Sequence, residues 1–223
     1  MIRRVSVVAP AYNEQESLKI FLDKTVNALQ VNGLKGEILI VNDGSTDRTF
    51  EMLSGFKKGF ANKKTHVNVT ICRHPTNRNL GAALKTGLSA AKGDLVATVD
   101  ADCTYPITEL PKLISFLDDK ADIAIASPYH PAGKSDIRPA YRLFLSKAIS
   151  KIYAILTRSN IYTFTAIFRV YKRKVIANVR PKSDGFLAVT EMLVFALRKG
   201  YKVKEMPATL TVRKYGRSKM KLL

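Results

Sequence analysis

An alternation of strand-like and helix-like segments constrains this chain more than any other feature. Short runs rich in β-branched residues stand at 5–8 (VSVV), 37–41 (EILIV), 67–71 (VNVTI), 95–99 (LVATV) and 122–126 (DIAIA). Strands buried on both faces read as unbroken apolar runs of this kind, whereas half-exposed strands alternate. After the first run, Leu18, Phe21, Leu22, Val26 and Leu29 recur at helical spacing, and Asn13 with Glu16 predicts an N-cap and a capping box. Further on, Leu80, Ala83, Leu84, Gly87, Leu88 and Ala91 share a helical face, and Gly93 predicts its end. The resulting βαβαβ order predicts an α/β fold with a doubly wound, mainly parallel sheet and flanking helices.

A chain of 223 residues, 46% of them hydrophobic, can bury a sizeable core as one large domain or a domain with an appendage. Its 37 Lys and Arg against 18 Asp and Glu give a formal net charge of +19. That excess favours an anionic partner: nucleic acid, a phosphorylated substrate or an acidic membrane surface. Cys72 and Cys103 have no metal-type spacing, so neither a disulfide framework nor a zinc site is expected, and a reducing cytosol fits. The opening MIRRVSVVAPAYNE soon meets Asn13 and Glu14, so a cleaved signal peptide is not expected. No run of 18 apolar residues occurs that would span a bilayer.

In doubly wound sheets, ligands collect beyond the carboxyl ends of the strands, where the strand order reverses. Polar clusters stand at those ends: PAYNE (Pro10 to Glu14), NDGSTD (Asn42 to Asp47) and DADCTYP (Asp100 to Pro106). Any one of them also reads as an ordinary turn with a helix cap. The glycine signatures of dinucleotide and P-loop sites are missing, so the anion must be held differently. On an extended strand end, the i, i+2 spacing of Asp100 and Asp102 points both carboxylates the same way. Paired carboxylates suit Mg²⁺ or Mn²⁺ bridging to a diphosphate, and the cation offsets the cost of burying them.

The set VVAPAYNEQESL, ILIVNDGSTDRT, NRNLGAALKTGL, GDLVATVDADCTYP and VRKYGRSKMK covers almost the whole chain in order. It resembles the family 2 glycosyltransferases of the GT-A fold, a Rossmann-like doubly wound sheet, and is most similar to the polyprenyl-phosphate or dolichyl-phosphate mannose or glucose synthases. The resemblance implies one GT-A domain over 1–223, with a nucleotide-sugar half at 1–126 and an acceptor half at 127–223. It implies Pro10, Tyr12 and Glu14 at the nucleoside, Asp43 at the base, Asp100 near the ribose and sugar, and Asp102 on the metal, Mg²⁺ or Mn²⁺. It further implies Arg142 and Ser146 at the acceptor phosphate, and Arg213 and Lys219 at the diphosphate or the acceptor. The chain departs from the pattern at Thr104, where a Gln is usual, and at Ser127-Pro128-Tyr129, where an Arg is usual. The segment Thr163 to Phe168 lacks a usual acid and turn glycine.

The activity so implied is inverting transfer of a hexose from GDP-mannose or UDP-glucose to a polyprenyl or dolichyl phosphate. A phosphate acceptor is already an anionic nucleophile and needs positioning more than a base. That suits a candidate site without histidine; His66, His74 and His130 lie outside the motifs and read as surface or structural. The stretch from Pro139 to Arg158 mixes Leu143, Leu145, Ile149, Ile152, Tyr153 and Leu156 with Arg142, Lys147, Lys151 and Arg158. It reads as a basic amphipathic helix for an anionic membrane surface, or else as a core helix with snorkelling lysines. A peripheral, cytoplasmic location at the cytosolic membrane face follows. Transfer to a soluble or cell-surface saccharide is the alternative, with Glu191 the evident carboxylate base. Nucleic acid is not an expected partner, because no basic recognition helix or aromatic-interleaved element occurs and Asp100 and Asp102 would be unexplained.

Overall fold

The computed structural model describes residues 4–61, 65–136 and 139–215. In chain order the elements are β1 (Val5–Ala11), α1 (Leu18–Val31), β2 (Gly36–Asp43), α2 (Thr49–Ala61), β3 (Val67–His74), α3 (Asn79–Ala90), β4 (Leu95–Thr98) and, after a 3₁₀ turn at Ile107–Glu109, α4 (Leu110–Ser115). There follow β5 (Ile123–Ser127), β6 (Lys134–Ser135), α5 (Ala140–Leu156), β7 (Arg169–Lys172), α6 (Arg173–Asn178), α7 (Leu187–Arg198), β8 (Val203–Pro207) and β9 (Thr209–Leu210).

The central sheet runs β3-β2-β1-β4-β7-β5-β8. Its first four strands are parallel, with Val5 opposite both Gly36 and Leu95. β7 enters antiparallel between β4 and β5, and β8 is parallel to β5. All five expected strands are present, each within a few residues of its sequence limits. β1, β2, β4 and β5 are buried throughout, as unbroken apolar runs require when helices cover both faces. Gly87 lets α3 lie close on the sheet: a Cβ there would sit 2.3 Å from Val8 Cγ1.

Two local expectations are corrected. Helix α1 starts at Leu18 behind Ser17, with no side-chain cap, so Asn13 and Glu16 form no capping box. Asn13 instead adopts a positive φ of 54° and bonds to another loop. Helix α3 ends through an extended Ala91 rather than a glycine C-cap. Gly93 serves close packing, since a Cβ there would lie 2.6 Å from the Ser6 nitrogen.

Of the two readings of helix α5, its burial fits an outward apolar face and not a core helix. Ser150 is its one fully buried residue, and Arg142, Ser146 and Tyr153 are partly covered with it. Tyr141, Leu145, Ile149 and Ile152 are exposed, with Phe144 at 71%, Ile155 at 67% and Leu156 at 72%. Most of the apolar set faces outward, whereas Arg142, Ser146 and Ser150 lie on the covered side. Leu143 and Tyr153, expected with the apolar set, are partly covered instead. Lys147 and Lys151 are exposed. Among the described residues no helix is long and apolar enough to cross a membrane.

Candidate active site

The strand order reverses between β1 and β4, whose sequence neighbours lie on opposite sides. There the loops after β1, β2 and β4 surround a cavity of about 260 Å³, as a doubly wound sheet requires. Pro10, Tyr12, Glu14, Asp43, Asp100, Asp102 and Arg213 all line it. The sequence thus named seven of its lining residues; it missed Asn77 from the β3–α3 turn, Asn79, Leu80 and Ala83 from the first turns of α3, and Phe186 before α7. An asparagine-rich turn after a strand end was the available signal.

Contacts between loops fix the geometry. The Asn13 carboxamide oxygen accepts from the backbone N–H of Thr46 at 2.8 Å, and Ser45 Oγ accepts from the Asn13 N–H at 3.0 Å. Gly44 turns the second loop at a φ of +67°, where a Cβ would lie 2.2 Å from the Thr76 carbonyl carbon. Asp47 caps the Thr49 N–H at 2.9 Å, the ordinary turn role. Asp43 is buried; its Oδ1 accepts from the Arg78 N–H at 3.0 Å and pairs with His74 Nδ1 at 2.6 Å. His74 is therefore buried, as a structural residue is, yet its partner belongs to the cavity.

Strand β4 ends at Thr98, so Asp100 and Asp102 reach the cavity from a turn and not from an extended strand. Cys103, at a φ of 61°, follows them. Asp102 Oδ1 accepts from both the N–H and the hydroxyl of Thr104, at 3.0 and 2.8 Å. Thr104 thus aims Asp102. The carbonyl of Thr104 in turn accepts from the N–H and hydroxyl of Thr211, which stitches the C-terminal segment to this turn. That stitch delivers Arg213, whose guanidinium pairs with Glu14 and lies 3.7 Å from Asp102 Oδ2.

The electrostatics follow from crowding. Burial pushes the Asp100 carboxyl well above its ordinary range, the charges of Asp102 and Glu14 push it the same way, and Arg213 opposes them. Burial also raises Glu14, against the hydrogen bonds from Arg213 and Ser17. Glu14, Asp100 and Asp102 therefore outnumber the Arg213 cation beside them. Among the described residues no three His, Cys, Asp or Glu side chains converge to hold a metal by themselves. Hard carboxylate oxygens, one or two per ion with phosphates completing the shell, are the usual setting for Mg²⁺, and the surplus negative charge here fits that chemistry.

The residues expected at the acceptor, Arg142 and Ser146, lie apart from the cavity lining. Ser146 Oγ is 2.7 Å from Thr165 Oγ1, and both hydroxyls bond to Tyr129, whose own hydroxyl burial raises. Lys147 Nζ sits 5.8 Å from the Tyr129 ring centroid. Arg142 lies one helical turn before Ser146, partly covered. Tyr105 links the regions, because the charges of Tyr129 and Asp100 both add to the upward shift that burial gives it. The segment from Tyr162 to Phe164 lacks its own acid, but Glu205 of β8 accepts from the N–H groups of Tyr162 and Thr163 at 2.7 and 2.9 Å. Glu191 Oε2 accepts from the N–H groups of Lys182 and Ser183, a loop-building role. Lys219 lies outside the described residues.

The model of glycosyl transferase family 2 matches residues 6–180. This chain belongs to that family. A dolichol-phosphate mannosyltransferase of Pyrococcus furiosus is 33% identical over 220 residues, 98% of this chain and 59% of that protein. A polyprenol monophosphomannose synthase of Mycolicibacterium smegmatis is 31% identical over 225 residues, 98% of this chain and 81% of that protein. An undecaprenyl-phosphate 4-deoxy-4-formamido-L-arabinose transferase of Pectobacterium atrosepticum is 31% identical over 178 residues, 79% of this chain and 51% of that one. The chain therefore spans between about half and four fifths of the length of these curated relatives. Among solved structures, glucosyl-3-phosphoglycerate synthase from Mycobacterium tuberculosis, in complex with Mn²⁺, UDP and its product, superposes with a TM-score of 0.70 at 19% identity. That match covers 97% of this chain and 73% of the other, and it bears out the GT-A fold of this family 2 member.

Proposed function

We propose that this chain transfers a hexose, with inversion, from GDP-mannose or UDP-glucose to a polyprenyl phosphate at the cytosolic membrane face. One observation carries the reading: three carboxylates and one arginine surround a cavity at the switch point, a charge arrangement suited to a cation and a diphosphate. The relatives named for polyprenyl-phosphate sugar transfer support the lipid acceptor. Residues 1–126 would serve the donor and 127–223 the acceptor within one domain.

In this reading Pro10, Tyr12 and Glu14 line the nucleoside pocket, Asp43 meets the base and Asp100 faces ribose and sugar. Asp102 would hold Mg²⁺ or Mn²⁺, which when bound neutralises charge on the departing diphosphate. Arg213 exchanges its carboxylate partners for the same phosphates, joined by Lys219. Arg142 and Ser146 hold the acceptor phosphate, whose oxygen bonds to the anomeric carbon as the nucleoside diphosphate leaves with the bonding electrons. No side-chain base is required, because the nucleophile is already an anion. The outward apolar stripe of α5, flanked by Lys147 and Lys151, suits an anionic membrane surface where the lipid resides. A panel of radiolabelled nucleotide-sugars offered with polyprenyl phosphate tests the proposal. Labelled lipid extractable into organic solvent is expected, and label on water-soluble saccharide alone would overturn it.

A further inference from the structure

We infer that His74 is a positioning residue for the donor's base, and that through Asp43 it selects nucleobases carrying a ring N–H on their pairing edge. The inference rests on the reading of Asp43 as the base contact. The side chains of His74 and Asp43 are only 6% and 4% exposed, and His74 Nδ1 lies 2.6 Å from Asp43 Oδ1. The same Oδ1 accepts from the Arg78 N–H at 3.0 Å, so it has two donors. Oδ2 has no hydrogen bond among the described residues, while Asp43 lines the cavity. Two donors on one oxygen fix the carboxylate plane and leave the other oxygen for a ligand.

The ring is fixed in its turn. His74 Nε2 lies 2.9 Å from Thr86 Oγ1 on α3, which is itself 3.1 Å from the Ala82 carbonyl oxygen. The Asn77 amide donates to the Asp43 carbonyl at 3.3 Å, holding the backbone beneath. Thr86, His74 and Asp43 thus form a relay from a rigid helix to the cavity wall. An ionised carboxylate only accepts hydrogen bonds. Uracil and guanine offer it a ring N–H; cytosine and adenine present a ring nitrogen lone pair instead, which leaves a desolvated acceptor facing another acceptor. The relay therefore admits both UDP- and GDP-linked donors and disfavours CDP- and ADP-linked ones.

Calorimetric titration of the full chain with GDP, UDP, CDP and ADP tests this, using wild type, His74→Ala, His74→Asn and Asp43→Ala. The melting temperature of each is measured without nucleotide. The Asn side chain places an amide N–H near the position of Nδ1–H. His74→Ala is expected to lose roughly tenfold in affinity for the tighter of GDP and UDP, with CDP and ADP changed less than about twofold. His74→Asn is expected to recover most of that loss. No loss in His74→Ala, an equal loss for all four diphosphates, or no recovery in a folded His74→Asn overturns the inference. Asp43→Ala separates the two levels. If it abolishes base discrimination while His74→Ala keeps it, only the role of His74 falls; if it keeps discrimination, the base contact itself is wrong.

Discussion

Arg213 is the cation that the site supplies for itself, so Arg213→Ala measures how much the carboxylates need one. Its guanidinium pairs with Glu14, and the two side chains are 15% and 9% exposed. A charge-assisted hydrogen bond of this kind contributes about 1.5–3 kcal/mol. The contact with Asp102, at 3.7 Å and without a hydrogen bond, adds at most about 1 kcal/mol. The variant should therefore lose about 2–3 kcal/mol, which for a chain of 150–250 residues corresponds to roughly 4–12 °C in melting temperature. It should also respond more strongly to a divalent cation, since Mn²⁺ no longer competes with the guanidinium for Asp102. A ligand at a hundred times its dissociation constant stabilises by about 2.7 kcal/mol, enough to restore most of the loss. Differential scanning fluorimetry across a Mn²⁺ series without nucleotide reads both effects. Unchanged melting together with identical Mn²⁺ responses in the two proteins would refute the charge argument.

Asp102→Ala should abolish transfer and weaken nucleotide-sugar binding far more in Mn²⁺ than in EDTA; equal weakening in both would remove the metal role. Asp100 has a folded-state pKa raised by burial, so its carboxyl favours the fold at low pH, and that contribution is lost as pH rises through the raised value. Asp100→Asn should accordingly melt higher than wild type at pH 7–8, with the gap closing toward about pH 4; a lower melting point at pH 7 contradicts the burial argument. Arg142→Ala should raise the apparent KM for polyprenyl phosphate and leave nucleotide-sugar affinity intact, and an effect confined to the donor would reassign it. Lys147→Glu with Lys151→Glu should cut sedimentation with anionic liposomes by on the order of tenfold or more, given about 1 kcal/mol per basic residue at a membrane surface. Turnover of a short, water-soluble polyprenyl phosphate should survive, and its loss would place those lysines in the acceptor site.

The strands that were legible are those buried on both faces. β1 and β5 are mostly apolar, and β2 holds the apolar run Ile38–Val41 between its polar ends, so burial is written in their composition. β7 escaped because it opens on Arg169 and ends on Lys172, cations expected in water. Arg169 is fully buried, with its guanidinium donating to the carbonyls of Val189 and Phe164 at 2.6 Å each. Those carbonyls lie elsewhere in the chain, and no local pattern announces them. Asn13 fails for the same reason: its hydrogen bonds run to residues more than thirty positions away. The polar ends of β1, β2 and β4 were legible because a doubly wound sheet dictates where such ends meet. Which oxygen of each carboxylate is left for a ligand is decided by partners such as Thr104 and His74, which only the folded chain brings together.

Helix α5 shows how such long-range partners decide orientation as well. Its sequence has a polar and an apolar stripe, and nothing in that pattern says which one meets water. The segment after α5 is held by partners from other parts of the chain. Ser150 Oγ accepts from the Phe164 N–H at 3.1 Å, Ser146 pairs with Thr165, and Glu205 takes the N–H groups of Tyr162 and Thr163. Turning the apolar stripe inward would strip Phe164 and Thr165 of these partners, at about 1–3 kcal/mol for each buried group left unpaired. The hydrogen bonds that build the proposed acceptor end therefore drive Phe144, Ile152, Ile155 and Leu156 outward. Exposed apolar area costs about 25 cal/mol per Å² in water and recovers that energy against hydrocarbon. A lipid-borne phosphate would meet both conditions at once: its head group engages the polar stripe while its membrane covers the apolar one.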